Sequence, residues 1–490
     1  MKAPPRGSAP RAEPEATIAT ADSSLHRTLG AYLLAGGLFV AVQATADIRA
    51  LDAPLSLGAF AFVGPLLMAP LAFVLFAVLP RNRLRLVCFV VYAVLATLPL
   101  AWVAARAGDV PGVLKELGFA VVWALPLIPF ASRRLRAAGP LVLVFAVIGV
   151  AGANALYAAA VEPMFGIALS GVALWNRAVG TEAPVEFIGW VVMAGFDLLG
   201  GLIGIALGRF VLMVVERRYR QKRFSDQALF IDTVFVWFAL RQAIDLSLEG
   251  AQWLLVAPVA FLVYKLTAKA CLAAVRSRQP RGHRDLLLLR PFSLGRRSER
   301  LFENLSKIWL RAGPIHMIAG PDLVASTVAP TEFLAFLSGR MRRLFISDEA
   351  GLTEDLGNLD VAYDPDGRYR VNQLFCSDDV WQAAMRALAA RCDVILMDLR
   401  GLTAANQGCL YELEVLIRGV SLRRVHFAVD ATTDQVFLEA AVASLWEQLP
   451  PDAPNRAYGG IASRTVWVDD EAKSRAQLLQ TLMQPLEATV

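Results

Sequence analysis

In the segment 285–490, four apolar runs each end in a short cluster of small, polar and charged residues. They are Arg290-Pro-Phe-Ser293, Ala319-Gly-Pro-Asp322, Asp398-Leu-Arg-Gly401 and Asp430-Ala-Thr-Thr433. Guanidinium, carboxylate and backbone groups gathered at strand ends are what a polar ligand needs, so the four clusters mark a candidate ligand crevice. Neither GxxxxGK[ST] nor GxGxxG is present, which disfavours P-loop hydrolysis of ATP and Rossmann-type dinucleotide binding. The five cysteines (Cys88, Cys271, Cys376, Cys392, Cys409) contain no CxxC, and the four histidines no HxxxH. No metal centre and no disulfide framework is expected from that spacing, and the thiols read as free. A second set of charges lies inside apolar runs: Asp197, Asp232 and Arg241. Ionisable groups in such places line a polar pathway or a sensing cavity, or they pair internally, as Asp197 would with Arg241.

The elements that must carry these residues fall into two regimes. The chain of 490 residues is 56% hydrophobic and only 19% charged, with a mean hydropathy of +0.49. The apolar excess lies between Thr28 and Val275; beyond Arg276 charges are frequent and apolar runs short. Two regimes imply at least two domains. Residues 1–27, rich in Pro, Ala and charge, read as a disordered tail. The run 28–46 is too long for a signal-peptide core and lacks a clear cleavage site, so it reads as a membrane span.

A span needs ~20 apolar residues. Candidates are 28–46, 56–79, 86–105, 118–132, 138–161, 187–208, 228–244 and 251–273. Basic clusters follow every second one: Arg81 to Arg85, Arg133 to Arg136, Arg217 to Arg223, and Arg276 to Arg284. The loops between are charge-poor or balanced. The positive-inside rule then gives about eight spans, with both termini cytoplasmic, in a bacterial inner membrane. The lipid bilayer is thus the first expected partner. Lys265 and Lys269 sit near a cytoplasmic end and are expected to snorkel. Gly200, Gly204 and Gly208 recur every four residues, a ridge suited to close helix packing within the subunit or across a homo-oligomer. The loop 162–186 holds Trp175 and Arg177 and suits an interfacial helix. The net charge of +5 is placed at span ends, and no basic stripe interleaved with aromatics occurs, so nucleic acid is not an expected partner.

After a basic linker at 276–284, the segment 285–490 alternates strands and helices. Strands are expected at 285–290, 314–320, 393–399, 424–430 and 464–470, with a weaker one near 340–347. Helices are expected at 298–311, 378–392 (capped by Ser377 or Asp378), 406–418 and 434–449, and at the end of the chain. This alternation implies an α/β domain with a mainly parallel sheet covered on both faces, of flavodoxin-like type. The polar stretch 348–373 shows no periodicity and reads as a lid or a passive insertion.

The order LLLLRPF, then a helix, IAGPD, and DVILMDLRGLTAANQGCLYELEVLI resembles Toll/interleukin-1 receptor (TIR)-like domains, in particular the bacterial versions fused to membrane spans. In that family a strand leads into a helix with a Ser-x-Trp-Cys-x-x-Glu-Leu-type pattern. Asn406-Gln-Gly-Cys409-Leu-Tyr-Glu412-Leu413 occupies the matching place, with Gly408 where the family usually has Trp and Asn406 where it often has Ser. The resemblance implies that Glu412 is the residue that cleaves the nicotinamide–ribose bond of NAD, as in the enzymatic members. It places Arg290, Phe292 and Ser293 in the nucleotide pocket, with Gly320, Asp322, Asp398, Arg400 and Cys409 beside them. NAD would be a substrate, and no bound cofactor is implied. The bland alternative for Glu412 is a solvated carboxylate favouring the helix dipole, and Glu414 lies nearby on another face.

Three function classes follow. The first is a membrane-anchored signalling or defence effector whose TIR-like domain binds and cleaves NAD or a related nucleotide, working as an oligomer through that domain or the glycine ridge. The second is a tethered nucleotide-sensing or protein-interaction module without chemistry. The third is a transporter or channel with a cytoplasmic regulatory domain.

Overall fold

The computed structural model describes residues 14–79, 166–180, 185–247, 249–277, 283–290, 296–319, 345–377, 379–469 and 472–484, with Val87, Val90, Val91 and Val94. The expected spans at 118–132 and 138–161, and almost all of 86–105, lie outside these residues.

The described residues of the first half are helical. Helix α1 (Pro14–Ala50) starts within the stretch read as a disordered tail. Proline is tolerated in a first turn, and Leu25 and Thr28 are already buried, so the helix has a packing partner before its apolar run begins. The segment 56–79 is not one straight span. It forms α2 (Leu57–Leu67) and α3 (Ala69–Val78), bent by 55° at the break. Pro65 and Pro70 remove backbone donors on both sides of Met68, which is enough to break a helix. Ser56 caps α2 by accepting from Ala59 N at 3.1 Å. A helical stretch at 166–179 carries Trp175. Helix α4 (Val185–Arg220) runs three turns past the expected span into its basic cluster. After a turn, α5 (Asp226–Ser247) returns, and α6 (Val256–Arg276) follows a short 3-10 segment. Among the described residues two helices are long and apolar enough to cross a membrane, Ser23–Ala50 and Gln252–Arg276, or three if the bent pair is one span.

Small residues set the packing of this bundle. Ala35 of α1 and Ala260 of α6 are fully buried. A Cβ at Gly36 would collide with Leu71, and would come within 2.9 Å of Phe235. Phe39 meets Phe235 edge-on with centroids 4.8 Å apart, and Phe235 stacks on Tyr264 at 4.1 Å. Of the expected glycine ridge on α4, Gly208 is buried; the surroundings of Gly200 and Gly204 lie outside the description.

The second half is a parallel sheet. Its strands are β1 (Leu286–Leu289), β2 (Ile315–Ala319), β3 (Phe345–Ile346), β4 (Val371–Cys376), β5 (Val394–Asp398), β6 (Val425–Val429) and β7 (Thr465–Trp467). The order is β3-β4-β2-β1-β5-β6-β7, with every pairing parallel. Leu287 and Leu289 face the layer covered by α8 (Glu349–Gly357), α9 (Trp381–Arg391), α10 (Gln407–Gly419) and α11 (Gln435–Glu447). Leu286 and Leu288 face the opposite layer, under α7 (Arg296–Trp309) and α12 (Ala472–Met483).

The polar stretch 348–373 is neither a lid nor an insertion along its whole length. It contains α8, capped by Asp348, and the start of β4. Strand β4 escapes a hydrophobicity reading because its first half, Val371-Asn-Gln, is only half-buried. The N-cap of α9 is Val380, without a side-chain bond, in place of Ser377; Asp378 lies outside the described residues.

From β1 the chain moves to β2, β3 and β4 on one side, then crosses back to β5 on the other. The sheet therefore reverses direction between β1 and β5, which is where open α/β sheets place their ligand crevice.

Candidate functional site

Residues from both sides of the reversal meet at the carboxyl ends of β1 and β5. Arg290 follows β1 directly, and Asp398 ends β5, whose Met397 is in register with Leu289. Both side chains are buried, as is Arg400. Arg400 turns back on Asp398, donating from Nε to one carboxylate oxygen and from Nη2 to the other, each at 2.8 Å. The backbone N of Arg400 reaches the same carboxylate at 3.2 Å. Such a two-pronged pair is rigid and consumes most of the charge of both groups. Gly401, at φ +67°, supplies the left-handed turn that lets the chain reverse after Arg400.

Two loops are tied together here. Thr433 donates to the Leu399 carbonyl at 3.1 Å, and Asp434 N donates to the Leu402 carbonyl at 3.2 Å. Asn406 closes the first loop by accepting from Thr403 N at 2.9 Å and Thr403 Oγ1 at 3.1 Å. Helix α10 then begins at Gln407 and presents Cys409, Glu412, Leu413 and Leu416 to the interior.

Glu412 is the unusual member. It is only 6% exposed, so it is not a solvated helix carboxylate. Among the described residues its carboxyl makes no hydrogen bond or ion pair, and burial pushes it up to about 8. A resting Glu412 is therefore largely protonated at neutral pH. Cys409 is pushed up to about 12, by burial first and then by the carboxylates of Glu412 and Asp398, which brackets the thiol between the two. A thiol held there is no nucleophile at neutral pH. Glu414, two residues on, points to solvent and pairs with Arg418 at 2.9 Å.

Aromatic groups that the sequence did not flag border the site. Trp381 of α9 meets Tyr411 edge-on at 5.3 Å, and its indole faces Gly408, where a Cβ would meet Trp381 Cη2 at 4.0 Å. The residue before Glu412 and the glycine four before it thus share one aromatic neighbour from another helix. No periodicity in either helix announces that meeting. Thr433 is a second residue that sequence reading left inside a cluster without a role.

Phe292, Ser293, Gly320 and Asp322 lie outside the described residues. Of the intramembrane candidates, Asp232 pairs with Lys265 and accepts from Tyr264 Oη at 2.9 Å, so Lys265 serves an ion pair. Arg241 pairs with Asp245 one turn on, at 3.5 Å. Asp197 lies on α4, with its side chain outside the description. Among the described residues no three His, Cys, Asp or Glu side chains are grouped to hold a metal ion. Of the expected residues, Asp398 and Arg400 touch, Cys409 stands within electrostatic reach of Asp398 and Glu412, and Arg290 follows the strand paired with β5. No family model matches the chain, and no curated protein matches it significantly.

Proposed function

We propose that the chain is a membrane-anchored effector whose TIR-like α/β domain binds NAD or a related nucleotide and cleaves its nicotinamide–ribose bond. In this reading the helical half is a polytopic membrane domain, with both termini and the sheet on the cytoplasmic side. One observation carries the proposal: a buried glutamate that has no partner among the described residues, on the helix that follows β5 at the reversal point of a parallel sheet. Structural carboxylates in folded interiors are normally paired. Leaving one unpaired costs stability, and a reacting ligand that needs it offsets that cost.

The chemistry suits a carboxyl group of this kind. Cleavage breaks the bond between ribose C1′ and the pyridinium nitrogen, and the bonding pair goes to that nitrogen, neutralising its charge. Positive charge grows on the ribose ring, where the ionised Glu412 stabilises it. Water then adds at C1′ and gives its proton to the same carboxylate, yielding ADP-ribose, nicotinamide and a proton. The incoming pyridinium cation favours ionisation of Glu412 on binding. In this reading a phosphate of the ligand meets Arg290, which is buried directly after β1.

The test is nicotinamide release from NAD by the full-length protein in lipid, at rising protein concentration. Glu412→Gln is expected to lower turnover by at least about 100-fold while membrane insertion and folding persist. Equal rates in the two proteins would remove Glu412 from the mechanism. Absence of release even when the protein is clustered would leave a nucleotide-binding module without chemistry.

A further inference from the structure

The two halves meet through a dense polar network, and its layout goes beyond what a tether needs. Arg370 stands just before β4. Its guanidinium grips the Asp364 carboxylate from Nε and Nη2, at 2.8 and 2.7 Å. Nη2 also donates to the carbonyls of Tyr219 at 2.9 Å and Phe224 at 3.3 Å, and the group lies 3.8 Å over the Tyr219 ring. Tyr219 and Phe224 flank the α4–α5 turn. Lys222, at the tip of that turn, pairs with Asp360 at 2.5 Å and donates to the Ala362 carbonyl. Arg368 pairs with Asp226 at 3.3 Å.

Asp366 is the node. Its carboxylate accepts from Ser225 Oγ at 2.5 Å, and the same hydroxyl caps α5 by accepting from Ala228 N at 3.0 Å. Its backbone carbonyl lies 3.5 Å from Thr28 Oγ1 of α1, whose proton goes to the Ser24 carbonyl at 2.8 Å. Thr28 in turn accepts from Arg311 at 3.1 Å, and Arg311 stands just before β2. Asp364, Asp366 and Arg311 are all buried. Contacts of this kind tolerate little slack, because separating a buried partner strands the charge that remains.

Two helices that do not follow one another in sequence therefore converge on this junction, α5 through Ser225 on Asp366 and α1 through Thr28 on Arg311, and Asp366 sits on a tight turn. Asp364 N bonds Arg368 O at 2.7 Å, with Gly367 at φ +79° between them. The turn runs straight into the sheet: Tyr369 N donates to Leu310 O at 2.6 Å, Ile315 N donates to Arg370 O at 3.4 Å, and β4 then pairs with β2. A shift of α1 against α5 moves Thr28 relative to Ser225, and either Arg311 or Asp366 releases its hydroxyl or the starts of β2 and β4 move with them.

We infer that residues 358–370, with Arg311, form a clasp through which the relative position of α1 and α5 is transmitted to the amino ends of β2 and β4. The helical half thereby governs the sheet domain, and the sheet domain reports back on the helices, since coupling free energy is reciprocal. The inference stands whether or not NAD is cleaved, because its readout is independent of turnover.

Amide hydrogen exchange on the full-length protein in lipid nanodiscs tests it, with substitutions made on one side and read on the other. Thr28→Val and Ser225→Ala, each removing one hydroxyl from the helices, are expected to speed exchange about tenfold in 315–319 and 371–376. Asp366→Asn, made on the sheet side, is expected to do the same in the first turns of α5. The distant strand β6 should be unchanged throughout, which separates coupling from general loss of stability. Should Asp366→Asn unfold the protein, the two hydroxyl variants decide alone. Changes confined to the side that carries the substitution, or spread equally into β6, would overturn the inference.

Discussion

Glu412 adds its own part to the pH response, reaching higher than that of Asp364, which burial raises to about 6, or of His426, which burial lowers to about 4. The Glu412 carboxyl sits near 4.5 in an unfolded chain and is raised to about 8 in the fold. Between those values the folded protein keeps a proton that the unfolded chain has released. Stability therefore falls as pH rises through that window, by up to roughly 1.4 kcal/mol per pH unit, and levels off above the folded value. Glu412→Gln should flatten this dependence and make the protein the more stable of the two near pH 8. Denaturant unfolding from pH 5 to 9 on both proteins checks it, and parallel curves would show that Glu412 is ionised or solvated in the fold. Its helix was legible in the sequence because it follows the clearest strand of the domain. The separation of Glu412 from Glu414 was legible too, since residues two apart face different ways. The closure of Arg400 onto Asp398 was not, because two residues at neighbouring strand-end positions give no sign that they are each other's partner. Nor was Trp381, which reaches Gly408 and Tyr411 only through the packing of α9 on α10.

Among the elements, strands with uniformly apolar residues announced themselves. β1, β2, β5 and β6 are buried along their whole length and were placed from composition alone. β4 was hidden by Asn372 and Gln373; Asn372 exchanges hydrogen bonds with Asp360 at 2.8 and 3.0 Å, so its polarity serves the preceding loop. The bend between α2 and α3 was written in Pro65 and Pro70, but a count of apolar residues passes over prolines. Gly313 joins α7 to β2 at the closest backbone approach of the sheet domain's amino edge. A Cβ there would collide with the Arg284 carbonyl, and a backbone atom cannot swing aside. Gly313→Ala is expected to cost about 2 kcal/mol or more and to lower the melting temperature. Gly419→Ala, at the end of α10 in open space, should change it by no more than about 0.5 kcal/mol. Thermal denaturation of the pair decides, and equal melting points would mean that the β1–β2 approach can loosen.

At the scale of the molecule, the sequence separated an apolar half from an α/β half, and the structure has that division. Span counting read farther than the described helices do, which supply up to three. It also treated every basic cluster as a topology signal. Lys222, in the cluster after α4, docks on Asp360, and Arg276 lies over Tyr363 at 5.6 Å, so part of that charge serves the junction. Membrane residence predicts that the full-length protein stays with the membrane pellet through alkaline carbonate and high salt, and enters solution only with detergent. Release by carbonate would reduce the helical half to a peripheral bundle.

The clasp lies at the amino ends of β2 and β4, while Arg290 and Asp398 lie at the carboxyl ends of β1 and β5 in the same sheet. A five-residue parallel strand rises about 16 Å, and ions at physiological strength screen a charge within about 8 Å. The charges of the clasp are thus some two screening lengths from the crevice, so what passes between them is carried by the strands and not by the electric field.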